Sequence, residues 1–264
     1  MRIALGITYS GTAYEGWQSQ LSGNTIQDKL ELALGRFAAQ PVRVMCAGRT
    51  DAGVHGLMQV VHFDTILQRE TASWVRGTNA FLPRDIAVQW AQVVPDEFHS
   101  RGSAISRRYA YVVLESPVRP SVEAGRVGWV YRPLDAAAMR QAALHLVGEH
   151  DFTSFRASQC QARSPVKNIS SIDISQRAGG SGRYWRFEFE ANAFLHHMIR
   201  NVMGCLVDIG QGNHPPDWMA DVLAARRRAA AAPTFSPDGL YFLGPVYEAH
   251  YGLPDRTAAY DWLP

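Results

Sequence analysis

Six segments with alternating strand and helix periodicity fill residues 2–94, and their order leaves few folds open. RIALGITY (2–9) reads as an opening strand. Thr25 then stands as an N-cap before IQDKLELALGRFAA, where Ile26, Leu30, Ala33, Leu34 and Phe37 recur at helical spacing until Pro41 ends the element. VRVMC (42–46) and MQVVHF (58–63) look like two strands joined by the glycine-punctuated loop AGRTDAGVHG (47–56). A helix around 71–80 leads through FLPRD to the strand IAVQWAQVV (86–94). The order βαββαβ is the ferredoxin-like pattern.

The rest of the chain loosely repeats this layout without a clear sequence repeat. RRYAYVVLES (107–116) is rich in aromatic and β-branched residues, as strands are. A helix follows Asp135 over 135–147, and strands near 168–176 and 183–190 flank the turn-like AGGSG (178–182). AFLHHMIRNVMGCLVDIG (193–210) is apolar all round and predicts a buried helix. A short helix at 216–228 precedes the strand GLYFLGPVYEA (239–249). The expectation is an α+β architecture of two ferredoxin-like halves, their sheets joined and their helices on one side, with no long linker at 95–105.

A hydrophobic share of 47% and a charged share of 19% suit a globular chain with a sizeable core. No apolar run approaches the roughly 18 residues of a spanning helix, and MRIALGITYS turns polar too soon for a secretory signal. A cytoplasmic protein without membrane association is expected. Cys46, Cys160 and Cys205 are odd in number and lack zinc spacing, so reduced thiols are the plain reading. A net charge of +2 excludes a polycationic coat. All but Lys29 and Lys167 of the 26 basic residues are arginines. That suits RNA, whose phosphates and bases a guanidinium can grip and stack upon; genome composition would produce the same bias.

The sharpest local feature is GRTDAGVHG (48–56), three glycines in nine residues. Such a loop can hold a side chain at an unusual angle. In an extended segment Arg49 and Asp51 point the same way, and an arginine beside a carboxylate keeps it ionised, as a nucleophile or general base requires. The alternative is a turn in which Asp51 caps its own backbone and Arg49 forms a surface ion pair. In Arg107-Arg108-Tyr109-Ala110-Tyr111, alternation places both tyrosines on one strand face, either as a platform for a base with arginines for phosphates or as core aromatics. Arg200 interrupts an apolar helical stretch and needs a partner such as a buried carboxylate. His196 and His197, adjacent on that predicted helix, point about 100° apart and cannot chelate as an i, i+4 pair would. His62 reads as structural, and Arg226, Arg227 and Arg228 as a helix end favourable to cations.

GRTDAGVHG followed by MQVVHFDT closely resembles the catalytic motif of the tRNA pseudouridine synthase A family. YSGTAYEGWQSQ, NAFLPRDIAV, FHSRGSAISRRYAYVV, HDFTSFRASQC, NAFLHHMIRNVMG and GLYF extend the resemblance over nearly the whole chain. It implies the pseudouridine synthase fold, two ferredoxin-like (RRM-like) halves around a central antiparallel sheet with flanking helices. The halves here would be 1–102, carrying the aspartate loop, and 103–264. It further implies a homodimer that needs no cofactor and acts on uridines 38 to 40 in the tRNA anticodon stem-loop; the lack of Cys/His ligand spacing in the sequence points to no metal either. Asp51 resembles the essential aspartate, Tyr109 the tyrosine that contacts the target uracil, and Arg200 the basic partner of the aspartate. Leu240 resembles the aliphatic residue near the base, and Arg49 the arginine that helps extrude the nucleotide; Arg107 and Arg108 would contact substrate. Phe242 and Gly56 stand where leucine and alanine are frequent in the family.

Two other readings remain open to test. One is an RNA-binding module without chemistry, which leaves Arg49 and Asp51 on their glycine-rich loop unexplained. The other is a metal-dependent hydrolase built on Asp51, His55, His62, His196 and His197.

Overall fold

The computed structural model describes residues 1–254. In chain order its elements begin with β1 (Arg2–Tyr9), α1 (Ile26–Ala38), β2 (Met45–Cys46), β3 (His55–Asp64), α2 (Thr71–Asn79), β4 (Ile86–Val94) and β5 (Ala104–Glu115). They continue with β6 (Gly128–Val130), α3 (Ala136–Leu144), β7 (Gly148–Asp151), β8 (Val166–Gly179), β9 (Gly182–Ala191), α4 (Met198–Gly210), α5 (Trp218–Ala225) and β10 (Leu240–Tyr247). The architecture is α+β. The chain divides into two compact units, Met1–Arg107 together with the described residues from Tyr241 on, and Arg108–Leu240.

In the first unit β1 is flanked by β4 and β3, both antiparallel, and β2 lies on the far edge of β3. The order β4-β1-β3-β2 is that of a ferredoxin-like unit, as the βαββαβ pattern predicts. β10 pairs in parallel with the other end of that same β3 edge, Tyr241 opposite His55 and Phe242 opposite Gly56. α1 starts where its sequence says it should: the Thr25 hydroxyl accepts from Asp28 N–H at 3.2 Å and donates to the Asp28 carboxylate at 2.6 Å, a reciprocal cap. Ile26, Leu30 and Leu34 then enter a core shared with Ile3, Leu5, Ile7, Trp17, Phe63 and Trp74. The strand expected over 42–46 shrinks to Met45–Cys46. Val44 N–H donates to the buried Glu31 carboxylate at 3.0 Å instead of to a neighbouring strand.

The second unit orders its strands β5-β9-β8-β7, with β6 parallel to β5. β8 and β9 form a hairpin that closes at Gly179 opposite Gly182. α3 begins at Asp135, whose carboxylate accepts from Ala137 and Ala138 N–H at 2.7 and 3.0 Å. The helix expected over 193–210 begins only at Met198, because His197 takes a left-handed conformation (φ 61°) and serves as its N-cap. The helix expected over 216–228 is limited to Trp218–Ala225, ended by Arg226 at φ 47°. Among the described residues no helix is long and apolar enough to cross a membrane.

Candidate active site

Residues 47–54 connect β2 to β3, and the first unit holds this loop from three sides. At its entrance Ala47 N–H donates to the Val60 carbonyl at 2.8 Å. The next peptide is clamped by a side chain of β3: Gly48 N–H donates to Gln59 Oε1 at 3.3 Å, and Gln59 Nε2 donates to the Gly48 carbonyl. Gln59 is fully buried, where a polar group without partners costs about 1–3 kcal/mol. The clamp is therefore strongly favoured over an open loop.

The middle of the loop is held by the segment that follows β1. Trp17 N–H donates to the Thr50 carbonyl at 3.0 Å, and the hydroxyls of Tyr9 and Thr50 lie 2.9 Å apart. Gly16, at φ 93°, permits this approach, since a Cβ there would stand 2.7 Å from the Thr50 carbonyl oxygen. The exit is a turn in which Val54 N–H donates to the Asp51 carbonyl at 3.2 Å. Gly53 has φ 81° in the third position, as a type II turn demands. Asp51 thus opens a turn whose flanks are both pinned, and its side chain is half-buried.

Arg49 is exposed and forms no hydrogen bond or ion pair among the described residues. It is not the ion-pair partner of Asp51; its guanidinium faces solvent, open to a phosphate. Arg107 is differently employed. It donates to the carbonyls of Ala47 at 3.4 Å and Ala104 at 3.2 Å, and to that of Arg101. It braces the start of the loop, so a phosphate would share it with backbone. His55 is buried, accepts from Gly11 N–H at 3.2 Å, and stacks on Tyr241 with ring centroids 4.6 Å apart. His62 is buried as well, its Nδ1 accepting from Ser100 N–H at 3.1 Å. Both histidines are committed to the fold, which removes two supports from the metal-hydrolase reading. The thiol of Cys46 is pushed up to about 11 by burial.

In the second unit Tyr109 is buried on β5, edge-on to Phe194 at 5.2 Å. Arg108 meets Glu188 at 3.2 Å, and the same carboxylate takes Arg186 at 2.6 Å. Arg200 lies in the first turn of α4, where its Nε donates to the Phe235 carbonyl at 3.0 Å and its own carbonyl accepts from Phe235 N–H at 3.1 Å. Leu240 is buried at the start of β10. The preceding Gly239, at φ 84°, accepts from Val112 N–H at 2.8 Å and comes so close that a Cβ would meet the Val112 carbonyl oxygen at 2.2 Å. Leu240 is thereby fixed beside the strand that carries Tyr109. His196 and His197 precede α4, their rings 4.1 Å apart. The argument from adjacent helical positions does not apply to them.

Sequence reasoning missed Tyr9, Gly16, Thr50 and Gln59 as parts of the loop's support. One signal was present: Gln59 is, with His62, a polar residue inside the strand run Met58–Phe63, where a strand interior tolerates it only with built-in partners.

A family model described as tRNA pseudouridine synthase matches residues 7–101 and 142–248. These segments contain Arg49, Asp51, Arg200 and Leu240, and leave Arg107, Arg108 and Tyr109 outside. The chain is 85% identical over 264 residues to a tRNA pseudouridine synthase A from Polaromonas naphthalenivorans (strain CJ2), covering 100% of both chains. It is 82% identical over 264 residues to one from Polaromonas sp. (strain JS666 / ATCC BAA-500), and 67% identical over 264 residues to one from Albidiferax ferrireducens, again over 100% of each. With matched segments covering more than half its length and identities of this order from end to end, the chain belongs to the tRNA pseudouridine synthase family.

Proposed function

We propose that this chain isomerises uridine to pseudouridine at positions 38, 39 and 40 in the anticodon arm of tRNA, with Asp51 as its catalytic carboxylate. The observation that carries the reading is the 85% identity, over the full 264 residues, to a protein named tRNA pseudouridine synthase A. The loop geometry supports the role of Asp51, a half-buried carboxylate at the head of a turn that its neighbours immobilise.

A stem uridine must leave its stack before any group can reach it, at an unstacking cost of a few kcal/mol. The reaction then breaks the C1′–N1 bond, turns the uracil and joins C1′ to C5; the C5 proton departs and N1 gains one. Asp51 serves this by attacking the ribose or base or by taking a ribose proton. The detached base must be retained between rotations. Tyr109 supplies a ring face for it and Leu240 an aliphatic wall, while Arg200 is the cationic partner of Asp51. Arg49 engages the extruded nucleotide, and Arg107 and Arg108 lie along the path of the backbone. Residues 1–102 supply the aspartate loop and 103–264 the tyrosine, arginine and leucine. The enzyme works in the cytoplasm as a homodimer, without metal or diffusible cofactor.

Site mapping of pseudouridine tests the proposal. Purified protein is incubated with unmodified tRNA in EDTA and enough monovalent salt to keep the tRNA folded. Pseudouridine should appear at 38 to 40 and nowhere else; modification outside the anticodon arm, or a requirement for added zinc, would contradict it. Light scattering of the active sample should give the mass of a dimer.

A further inference from the structure

The β1–β3 ladder runs in regular register from Arg2 opposite Asp64 to Ile7 opposite Gln59, then jumps to Tyr9 opposite Gly56. β3 thus passes through three steps where β1 passes through two, which is a bulge at Leu57–Met58. β4 bulges against the same stretch of β1, Gly6 pairing Trp90 and Ile7 pairing Val88. Bulges re-aim the side chains beside them. Here the re-aimed side chain is Tyr9, whose ring edge lies against Gly56, 2.4 Å from where a Cβ would stand. Its hydroxyl is delivered to Thr50 at 2.9 Å, and the ring packs on Trp17 at 5.8 Å. On the other flank Gln59, at the last regular position of the ladder, clamps Gly48.

We propose that Tyr9 and Gln59 are positioning residues for Asp51, acting through Thr50 and Gly48 so that the strand bulge sets the angle at which the carboxylate meets the target nucleotide. This rests on the reading of Asp51 as catalytic. Neither side chain needs to touch substrate. Misplacing a catalytic group by about 1 Å can cost about 100-fold in rate, so a loop held at only one flank would still bind tRNA but turn it over slowly.

The test is steady-state kinetics on unmodified tRNA for Tyr9→Phe, Gln59→Leu, Thr50→Val, Thr50→Ser and the double variant Tyr9→Phe/Thr50→Val, with Asp51→Asn as reference. Tyr9→Phe, Gln59→Leu and Thr50→Val should each lower kcat by about 10- to 100-fold while KM stays within about twofold, the mark of an interaction that matters only in the transition state. Thr50→Ser keeps the hydroxyl and should retain near-normal kcat. The double variant should be no worse than Tyr9→Phe alone, because that substitution already removes the Tyr9–Thr50 bond. Circular dichroism establishes that each variant is folded at the assay temperature. Should Tyr9→Phe fail to fold, the contrast between Thr50→Val and Thr50→Ser decides. Normal kcat in Tyr9→Phe or Gln59→Leu with an inactive Asp51→Asn would overturn the role of that residue and leave the catalytic reading standing. Full additivity in the double variant would overturn the Tyr9–Thr50 link. An active Asp51→Asn would remove both the reading and the inference.

Discussion

The phenol oxygen of Tyr9 lies 2.9 Å from Oγ1 of Thr50, 41 positions away in the sequence and immediately before Asp51. Both groups are buried, and burial raises the pKa of the Tyr9 hydroxyl, so it stays neutral and able to donate. The bond links the end of β1 to the middle of the 47–54 loop, and it exists because Gly56 leaves room for the tyrosine ring.

Gly56→Ala should therefore act at a distance. The added methyl would stand 2.4 Å from the Tyr9 ring, which is buried and tied at its far end. Overpacking of this kind costs about 1–3 kcal/mol. The thermal midpoint should fall and kcat with it. Chemical denaturation and turnover would check this; a variant as stable and as fast as the parent would show that the ring yields freely.

Acid should destabilise the first unit through His62. Burial, with the neighbouring His99 and Arg2, pushes its pKa down to about 4, against about 6.5 in an unfolded chain. The folded state keeps the ring neutral while the unfolded state takes up a proton first. Its stabilising contribution is complete above about pH 6.5, shrinks as pH falls towards 4, and is level below that. Unfolding free energies measured from pH 7 to 4 should show this slope, and His62→Gln should flatten it. A parental slope unchanged in the variant would assign the effect to other groups.

Much of this fold is legible in the residues themselves. Thr25 and Asp135 announce their helices because a cap is a local interaction, and the spacing of Ile26, Leu30 and Leu34 marks a buried face that the structure confirms. β6 and β7 are three and four residues long and have too few side chains to show a period. The first turn of the expected helix at 193–210 is lost to one left-handed backbone at His197, a conformation that no local pattern demands of histidine. At the site, the glycines betray the loop, but the role of Asp51 came from resemblance. Tyr9 was invisible for a physical reason: its partner is fixed by a strand bulge, and register shifts leave little trace in composition.

Among the described residues Arg49 is exposed and forms no hydrogen bond or ion pair, so Arg49→Ala should change stability by less than about 0.5 kcal/mol. It should weaken tRNA binding and slow turnover. If its guanidinium meets one phosphate, the slope of log affinity against log salt should fall by about 0.7–0.9. An unchanged slope with unchanged kcat would leave Arg49 without a role in the reaction.

Arg200→Ala should behave otherwise. It removes the Nε bond to the Phe235 carbonyl, a loss of about 1–2 kcal/mol when the acceptor is left partly buried. It also removes the proposed partner of Asp51, and activity should drop by about 100-fold or more, as when a fixed charge beside a reacting group is deleted. Arg200→Lys keeps the charge without the fork and should recover only part of the rate. Thermal melts and single-turnover assays separate the two effects; a variant unchanged in both would mean that Arg200 serves neither.

The central claim is that one carboxylate, Asp51, carries the chemistry, and Asp51→Asn tests it most directly. The substitution keeps the shape and most hydrogen bonding of the side chain but can neither attack as a nucleophile nor accept a proton. Single-turnover pseudouridine formation on unmodified tRNA should fall by at least about 1,000-fold, as loss of a nucleophile or base does. Filter-binding affinity for the same tRNA should stay within about threefold and the thermal midpoint near that of the parent, since uniform binding is untouched. Pseudouridine formed by the variant at a rate within about tenfold of the parent would contradict the account.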